Sequence, residues 1–321
     1  MRNSFLFFLF SCILSGCNRG DCYSFGLLAA PPYSSPVWYP DGSMLGFNHT
    51  PIQLIGKMLN GDCGPTYSYS SFSDSDGFWL INRDGSNLRR VTNFELLNPS
   101  WSPDGKWIAF CNGAQIYKMS FDGVSFDTAN IIELTNDSSN HFYPSWNLTG
   151  DSIYFDSDEQ NINAPYQVYK MAADGSGQTL IGNKGIDSIY SREPFCAPTN
   201  QILHIRGDSI SYNVFTMDGN GNHVKQLTFN TSPYVIGNPR YYNSKIYYQD
   251  HGVWSADGDG SGLTMIAGNS EQGFSIAPDG TIAYVNFDPG GSPAIDQTHG
   301  VIWIMNPDGS NKTQFTFNHT Q

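Results

Sequence analysis

Histidine, arginine and aspartate side chains are concentrated in the longest polar segments of this sequence. Four of its seven histidines lie there with two arginines and an aspartate: His49, His141, His251, His299, Arg192, Arg206 and Asp250. An imidazole is the commonest metal ligand in proteins and a common general base near neutral pH. We therefore take these seven residues as the candidate ligand-binding set, and convergence of three or more histidines would make a metal site. The alternative is that polar residues simply populate surface loops.

No familiar catalytic motif accompanies this set. The sequence contains no G-x-S-x-G, H-E-x-x-H or P-loop stretch, so no catalytic residue is assigned. We expect no cofactor, with a divalent metal bound by the histidines as the alternative. The acidic run Asp156-Ser157-Asp158-Glu159 is expected to be a solvated loop.

The segments between these polar stretches form a sequence repeat. The stretch NPSWSPDGKWIAF, residues 98–110, has counterparts at residues 35–47, 143–155, 193–205, 238–249 and 273–285. A second unit, such as VYKMAADGSGQTLIGN at residues 168–183, alternates strictly with the first. Six copies follow one another at a period of roughly 47 residues, which is typical of β-propeller repeats.

Each unit is predicted to be a β-hairpin. In the Pro-Asp-Gly turns, proline presets φ, aspartate bonds to its own backbone and glycine accepts a positive φ. The flanking residues alternate between two faces with a period of two, Trp107 and Ala109 on one and Ile108 and Phe110 on the other, as expected of a strand packed on both faces. Two hairpins per repeat predict an all-β chain, a six-bladed β-propeller of four-stranded antiparallel blades over residues 36–321.

The order of strands in a blade sorts the connections onto two faces. With the strands named A to D from the centre outwards, the short A–B and C–D turns share one face, here called the turn face. The B–C loops and the D–A crossovers share the other, here called the loop face. The Asp-Gly carboxylates fall on the turn face and are expected to cap their turns. The long segments, including residues 48–76, fall on the loop face, where binding is expected.

The repeat resembles that of a known family. Trp101-Ser102-Pro103-Asp104-Gly105 followed by Ile116-Tyr117 and a later Asp-Gly is similar to the WD40-like (PD40) repeat of TolB-type six-bladed propellers. The resemblance implies a non-enzymatic propeller that binds a protein or peptide at its mouth. One alternative is a polysaccharide-active enzyme like the oligogalacturonide lyases, which have a similar repeat and a histidine-bound metal. The other is a module that binds a glycan or a small ligand without turnover.

The first residues read as an export signal. Arg2 precedes an apolar run from Phe5 to Leu14, which is too short to span a bilayer. The run ends in Leu14-Ser15-Gly16-Cys17, which resembles the bacterial lipobox. The resemblance implies a lipoprotein signal peptide at residues 1–16, lipid attachment at Cys17 and a linker over residues 17–35. It also implies a bacterial cell-envelope location at the outer membrane, periplasmic or surface-facing; an ordinary secretory signal is the alternative.

The cysteines and the net charge give further expectations about disulfides and about the class of partner. In an oxidising compartment Cys22 and Cys63 could form a disulfide, whereas Cys111 and Cys196 are expected to be buried thiols. The formal net charge of −13 argues against a nucleic-acid partner, which requires a basic surface. We expect a monomer that meets the membrane only through its lipid anchor, with an envelope protein or peptide, or a glycan, as its partner.

Overall fold

The computed structural model contains β-strands and turns and no helix in the residues that it describes. These are residues 33–50, 52–59, 65–71, 76–158, 165–182, 190–207, 211–230, 236–268, 270, 273–286 and 301–316. The predicted fold class is confirmed, because six four-stranded antiparallel sheets form a six-bladed β-propeller. Nothing helical that could cross a bilayer occurs in these ranges.

Twenty-four strands form the blades, and each blade takes four strands in chain order. Blade 1 contains β1 (Tyr33–Trp38), β2 (Met44–His49), β5 (Gly77–Asn82) and β6 (Arg89–Arg90). Blade 2 contains β7 (Leu97–Trp101), β8 (Trp107–Asn112), β9 (Gln115–Ser120) and β10 (Ile132–Glu133). Blade 3 contains β11 (His141–Trp146), β12 (Ser152–Ser157), β13 (Gln167–Ala172) and β14 (Thr179–Leu180).

The other three blades repeat this arrangement. Blade 4 contains β15 (Tyr190–Cys196), β16 (Gln201–Gly207), β17 (Tyr212–Asp218) and β18 (Lys225–Gln226). Blade 5 contains β19 (Gly237–Tyr242), β20 (Lys245–Gln249), β21 (Gly252–Asp257) and β22 (Thr264–Gly268). Blade 6 contains β23 (Phe274–Ile276), β24 (Ile282–Asn286), β25 (Val301–Met305) and β26 (Thr313–Gln314).

The long segment after β2 contains further strands. The sequence predicts a loop over residues 48–76, but β3 (Ile52–Leu59) and β4 (Pro65–Ser71) pair there as a separate antiparallel hairpin. Its register runs from Ile52 opposite Ser71 to Leu59 opposite Pro65. The B–C connection of blade 1 is therefore a structured insertion on the loop face.

Apolar side chains pack between neighbouring blades because successive strand residues face opposite sides of a sheet. Between blades 1 and 2, Phe78 and Leu80 of β5 pack against Trp101, Ile108 and Phe110, and all five are buried. Equivalent clusters lie between the other blades. Each blade buries its faces only by stacking on its neighbours, which explains the closed ring.

The ring closes between blades 6 and 1 through side chains. In the described residues no strand of one blade inserts into the other's sheet. The backbone N–H of Trp38 donates to Ser275 Oγ at 3.0 Å. Arg83 of blade 1 donates to the Asp279 carboxylate and, at 2.6 Å, to Thr281 Oγ1 of blade 6. Apolar residues of both blades complete this seam.

The turn carboxylates cap their own turns, as the sequence predicts. Asp84 Oδ1 accepts the backbone N–H of Ser86 at 2.9 Å, and Asp174 and Asp308 accept Ser176 and Ser310 in the same way. These bonds stabilise the ionised form and lower the pKa of each carboxyl. The turn-face aspartates therefore serve the turns.

The predicted state of two cysteines can be compared with the structure and is confirmed. Cys111 in β8 and Cys196 in β15 are buried free thiols, as expected. Burial raises the pKa of both, so they remain protonated. Cys17 and the Cys22–Cys63 pair lie outside the described residues.

Candidate functional site

A bulge in the innermost strands shapes the wall of the central channel. In blades 1 to 5 the pairing of strands A and B shifts register where strand A carries a proline. Proline cannot donate to a ladder, so it is tolerated at a bulge or on an edge strand, and strand A is an edge strand. The residue before each proline has a positive φ of 49 to 54°: Ser35, Asn98, Tyr143, Glu193 and Asn238. Such a conformation costs about 1 kcal/mol or more for a residue with a side chain.

The channel is a large cavity at the centre of the ring. It has a volume of about 1340 Å³, and all six innermost strands contribute to its wall. The lining combines aromatic rings with amide side chains: Tyr39, Trp101, Trp146, Tyr241, Tyr242, Asn98, Asn238, Asn243 and Gln249. This volume exceeds the range of about 300–1000 Å³ that is common for small-ligand pockets. The channel is therefore large enough for a chain segment.

Charged side chains join three blades beside the channel. Glu193, at the bulge of blade 4, is buried; its Oε1 accepts Arg192 at 3.0 Å and its Oε2 accepts the backbone N–H of Asn238 in blade 5 at 2.6 Å. The backbone N–H of Glu193 donates to Asp156 Oδ2 in blade 3 at 3.0 Å. This cluster fixes strand β12 of blade 3 and the innermost strands of blades 4 and 5 relative to one another.

Asp156 contradicts the expectation of a solvated acidic loop. It belongs to β12 and is 2% exposed, and Asp158 is also buried. Burial raises the pKa of Asp156 to about 8, although the Glu193 N–H and the Arg192 guanidinium favour its ionised form. The sequence suggests a loop because four polar residues follow one another, but blade 4 covers this end of the strand.

Two residues of the candidate set meet at the channel. His251 Nδ1 lies 2.8 Å from Asp250 Oδ1, and both residues line the cavity on the loop-face side. Arg192 belongs to the charged cluster of Glu193. Arg206 lies elsewhere in blade 4, with its guanidinium 5.5 Å from the ring centre of Phe215.

The other histidines lie apart in different surroundings. His49 is buried and stacks on Tyr33 with a centroid distance of 4.1 Å. His141 is buried at the start of β11, and its Nε2 lies 2.9 Å from Asp137 Oδ1. His299 lies outside the described residues. In the part of the chain that the structure describes, no three His, Cys, Asp or Glu residues group closely enough to hold a metal ion.

Two charged residues of the channel wall, Glu193 and Arg240, were not in the candidate set. Arg240 lies in β19 and contributes to the channel lining. Its guanidinium lies 5.0 Å from the ring centre of Phe195 in blade 4. The sequence does carry a signal, since Asn238-Pro239-Arg240 replaces the Asn98-Pro99-Ser100 pattern of blade 2.

Comparison with known proteins identifies the fold. No protein-family model and no curated protein matches the sequence. The structure is similar to TolB from Acinetobacter baumannii, with a TM-score of 0.59 and 16% identity over 85% of this chain. The chain spans 63% of the length of that protein.

Two enzymes share the architecture. A Mycobacterium tuberculosis puromycin-hydrolyzing peptidase matches with a TM-score of 0.53 and 11% identity, over 90% of this chain and 54% of its own. An oligogalacturonate lyase in complex with manganese matches with a TM-score of 0.52 and 9% identity, over 87% and 75%. At these identities the similarity concerns the fold alone. The chain is a six-bladed β-propeller with TolB-like structural neighbours.

Proposed function

We propose that this protein is a cell-envelope lipoprotein whose propeller channel binds a segment of a protein or peptide partner without chemical turnover. The observation that carries the proposal is the channel itself, with a volume of about 1340 Å³ and a wall contributed by all six blades. Aromatic rings mixed with amide groups suit a peptide, because rings supply contact area and amides bond to a backbone.

The innermost strands offer backbone groups as well. Each pairs with a second strand on one side only, so its other edge faces the axis of the ring. Some N–H groups of these strands, such as those of Trp38 and Asn238, already donate to side chains of neighbouring blades. The free edge of a strand can bond to an extended peptide, whose alternate side chains then enter pockets between the strands. The bulges hold these edges in a fixed, strained shape, which favours a preformed site.

Blocking the channel tests this proposal. Ser100 lies in the channel wall, so Ser100→Trp should reduce the affinity for peptides selected from a synthetic linear library by about tenfold or more. Val124→Trp is the matched control, because Val124 is 67% exposed and does not line the channel. Fluorescence anisotropy of a labelled peptide measures both. Equal affinities for the wild type and Ser100→Trp would refute binding in the channel.

The envelope location rests on the proposed lipid at Cys17. In a bacterial host fed an alkyne-bearing fatty acid, the wild-type chain should become labelled and sediment with membranes. Cys17→Ser should abolish both, whereas Cys12→Ser, within the proposed signal peptide, should leave both unchanged. Labelling that survives in Cys17→Ser would contradict the anchor.

A further inference from the structure

Arg240 places a positive charge in a channel wall that is otherwise neutral at the same level. The residues at this register of the other five innermost strands are Val37, Ser100, Ser145, Phe195 and Ser275. All of them and Arg240 line the channel. A charge at one of six equivalent positions makes the channel wall electrostatically asymmetric at this level, where the only charged side chain of the six is the cation of blade 5.

The guanidinium of Arg240 has few partners in the described structure. One nitrogen donates to the Pro239 carbonyl oxygen at 2.9 Å, and the group lies over the Phe195 ring. It forms no ion pair with the described carboxylates. Glu193 is close enough to favour the charge, but its oxygens already accept Arg192 and the Asn238 N–H. A guanidinium has further N–H donors, arranged as a planar fork.

The surroundings of Arg240 make an added anion favourable. Burial lowers the pKa of Arg240 to about 10, so the side chain remains a cation at neutral pH. A partly desolvated cation that no described carboxylate pairs with directly has an unfavourable free energy, which a carboxylate arriving in the channel relieves. The two oxygens of a carboxylate fit the guanidinium fork.

We propose that Arg240 binds a carboxylate of the peptide segment that enters the channel. The proposal rests on the proposed function and adds the chemistry of recognition. The carboxylate can be the C-terminal group of the peptide or the side chain of an aspartate or glutamate, since the guanidinium recognises both in the same way.

The experiment compares the arginine of the channel wall with an arginine at the rim of the propeller. Arg240→Gln removes the charge from the channel, and Arg240→Lys keeps the charge but removes the fork. Arg90→Gln is the control, because Arg90 is exposed in β6, the outermost strand of blade 1, and does not line the channel. The probes are peptides selected from a synthetic library by the wild-type full chain, with circular dichroism as the check on folding.

We expect Arg240→Gln to weaken the binding of these peptides by about tenfold or more, and Arg240→Lys to weaken it less. Arg90→Gln should bind like the wild type. Amidating the C-terminus of the peptide should remove the difference between the wild type and Arg240→Gln if the terminal carboxylate is recognised. Replacing its acidic residues by amides should do so if a side chain is recognised.

The outcomes separate this inference from the proposed function. If Ser100→Trp blocks binding but folded Arg240→Gln and Arg240→Lys bind as tightly as the wild type, the inference is overturned and the channel site stands. If neither amidation nor replacement of the acidic residues weakens binding to the wild type, the inference is also overturned. If Ser100→Trp has no effect, the proposed function fails, whatever Arg240 does.

Discussion

Asp156 and Arg240 show how the neighbouring blade decides what a charged side chain does. Asp156 is covered by blade 4 and accepts the backbone N–H of Glu193, while Arg240 extends over a ring of that same blade. Neither environment follows from the residues next to them in sequence. The repeat predicts the strand of Arg240, but the unit at residues 143–155 stops one residue before Asp156. The packing partner of each side chain lies tens of residues away.

The stability of the fold should depend on pH through Asp156. Its carboxyl has an ordinary pKa of 3.8 and is raised by burial to about 8 in the fold. Between these values the folded state binds more protons at Asp156 than the unfolded state, so the contribution of Asp156 to stability is largest at low pH and falls as pH rises towards 8. Asp156→Asn should remove this dependence and raise the free energy of unfolding at pH 8 by about 1–3 kcal/mol.

Urea denaturation of both chains at pH 5 and pH 8 measures the effect. Asp218→Asn is the control of opposite sign, because the N–H of Asn222, His223 and the N–H of Asn220 lower the pKa of Asp218 to about 2. Stabilisation by Asp218 is present above pH 3.8 and is lost only as pH falls through about 2, so Asp218→Asn should lower stability equally at pH 5 and pH 8. A pH dependence that persists in Asp156→Asn would show that Asp156 is not its source.

At the scale of the elements, the turn between strands C and D has two functions in four of the blades. Its glycine has a positive φ, and it also lies against the backbone of the preceding blade: Gly175 on Leu134, Gly221 on Ile181, Gly260 on Leu227 and Gly309 on Ile266. The glycines in the same turn of blades 1 and 2, Gly85 and Gly123, have open space around them. The same turn motif therefore contacts the preceding blade in blades 3 to 6 but not in blades 1 and 2.

Alanine substitutions at Gly221 and Gly85 separate the cost of the positive φ from the cost of the contact with the preceding blade. Their φ values are 81° and 82°, so alanine brings the same backbone strain of about 1 kcal/mol at either site. At Gly221 an added Cβ would also overlap the carbonyl oxygen of Ile181, whereas at Gly85 it meets nothing within 4 Å. We expect Gly221→Ala to lower the free energy of unfolding by about 3 kcal/mol or more and Gly85→Ala by about 1 kcal/mol.

Thermal denaturation followed by circular dichroism gives the comparison directly. A melting temperature for Gly221→Ala equal to that of Gly85→Ala would mean that the contact with blade 3 is not required.

The same scale shows what the sequence could and could not predict. The hairpins, their order and the caps of the Asp-Gly turns depend on residues within a few positions of one another, and all three are confirmed. The hairpin β3–β4 was missed, because its strands lie in a segment outside the repeat. The surroundings of the histidines were also unpredictable, because each packs against side chains that the fold brings from elsewhere, such as Tyr33 beside His49.

At the scale of the whole molecule, the seam between blades 6 and 1 closes the ring with side-chain contacts. Arg83→Met removes the bonds from blade 1 to Asp279 and Thr281 of blade 6. These groups are partly exposed, so we expect the free energy of unfolding to fall by only about 1 kcal/mol. The loss should affect the whole ring, since every blade is stabilised by two neighbours.

Lys245→Met is the control, because Lys245 pairs with Asp257 inside blade 5 at 2.6 Å with similar exposure. Denaturation by guanidinium chloride should show that Lys245→Met lowers the free energy of unfolding less, by about 0.5 kcal/mol or less. Equal losses in the two variants would mean that the seam contributes no more than any surface ion pair.

The absence of strand exchange in the described sheets has a consequence for the gene as well as for the protein. Because every sheet comes from one uninterrupted stretch of chain, a cut between β14 and β15 severs no ladder. A circularly permuted chain that starts there keeps all six sheets whole. By the same reasoning, an in-frame tandem duplication of one repeat adds a complete blade at once. Rings with different numbers of blades can therefore arise without an intermediate that has a broken sheet.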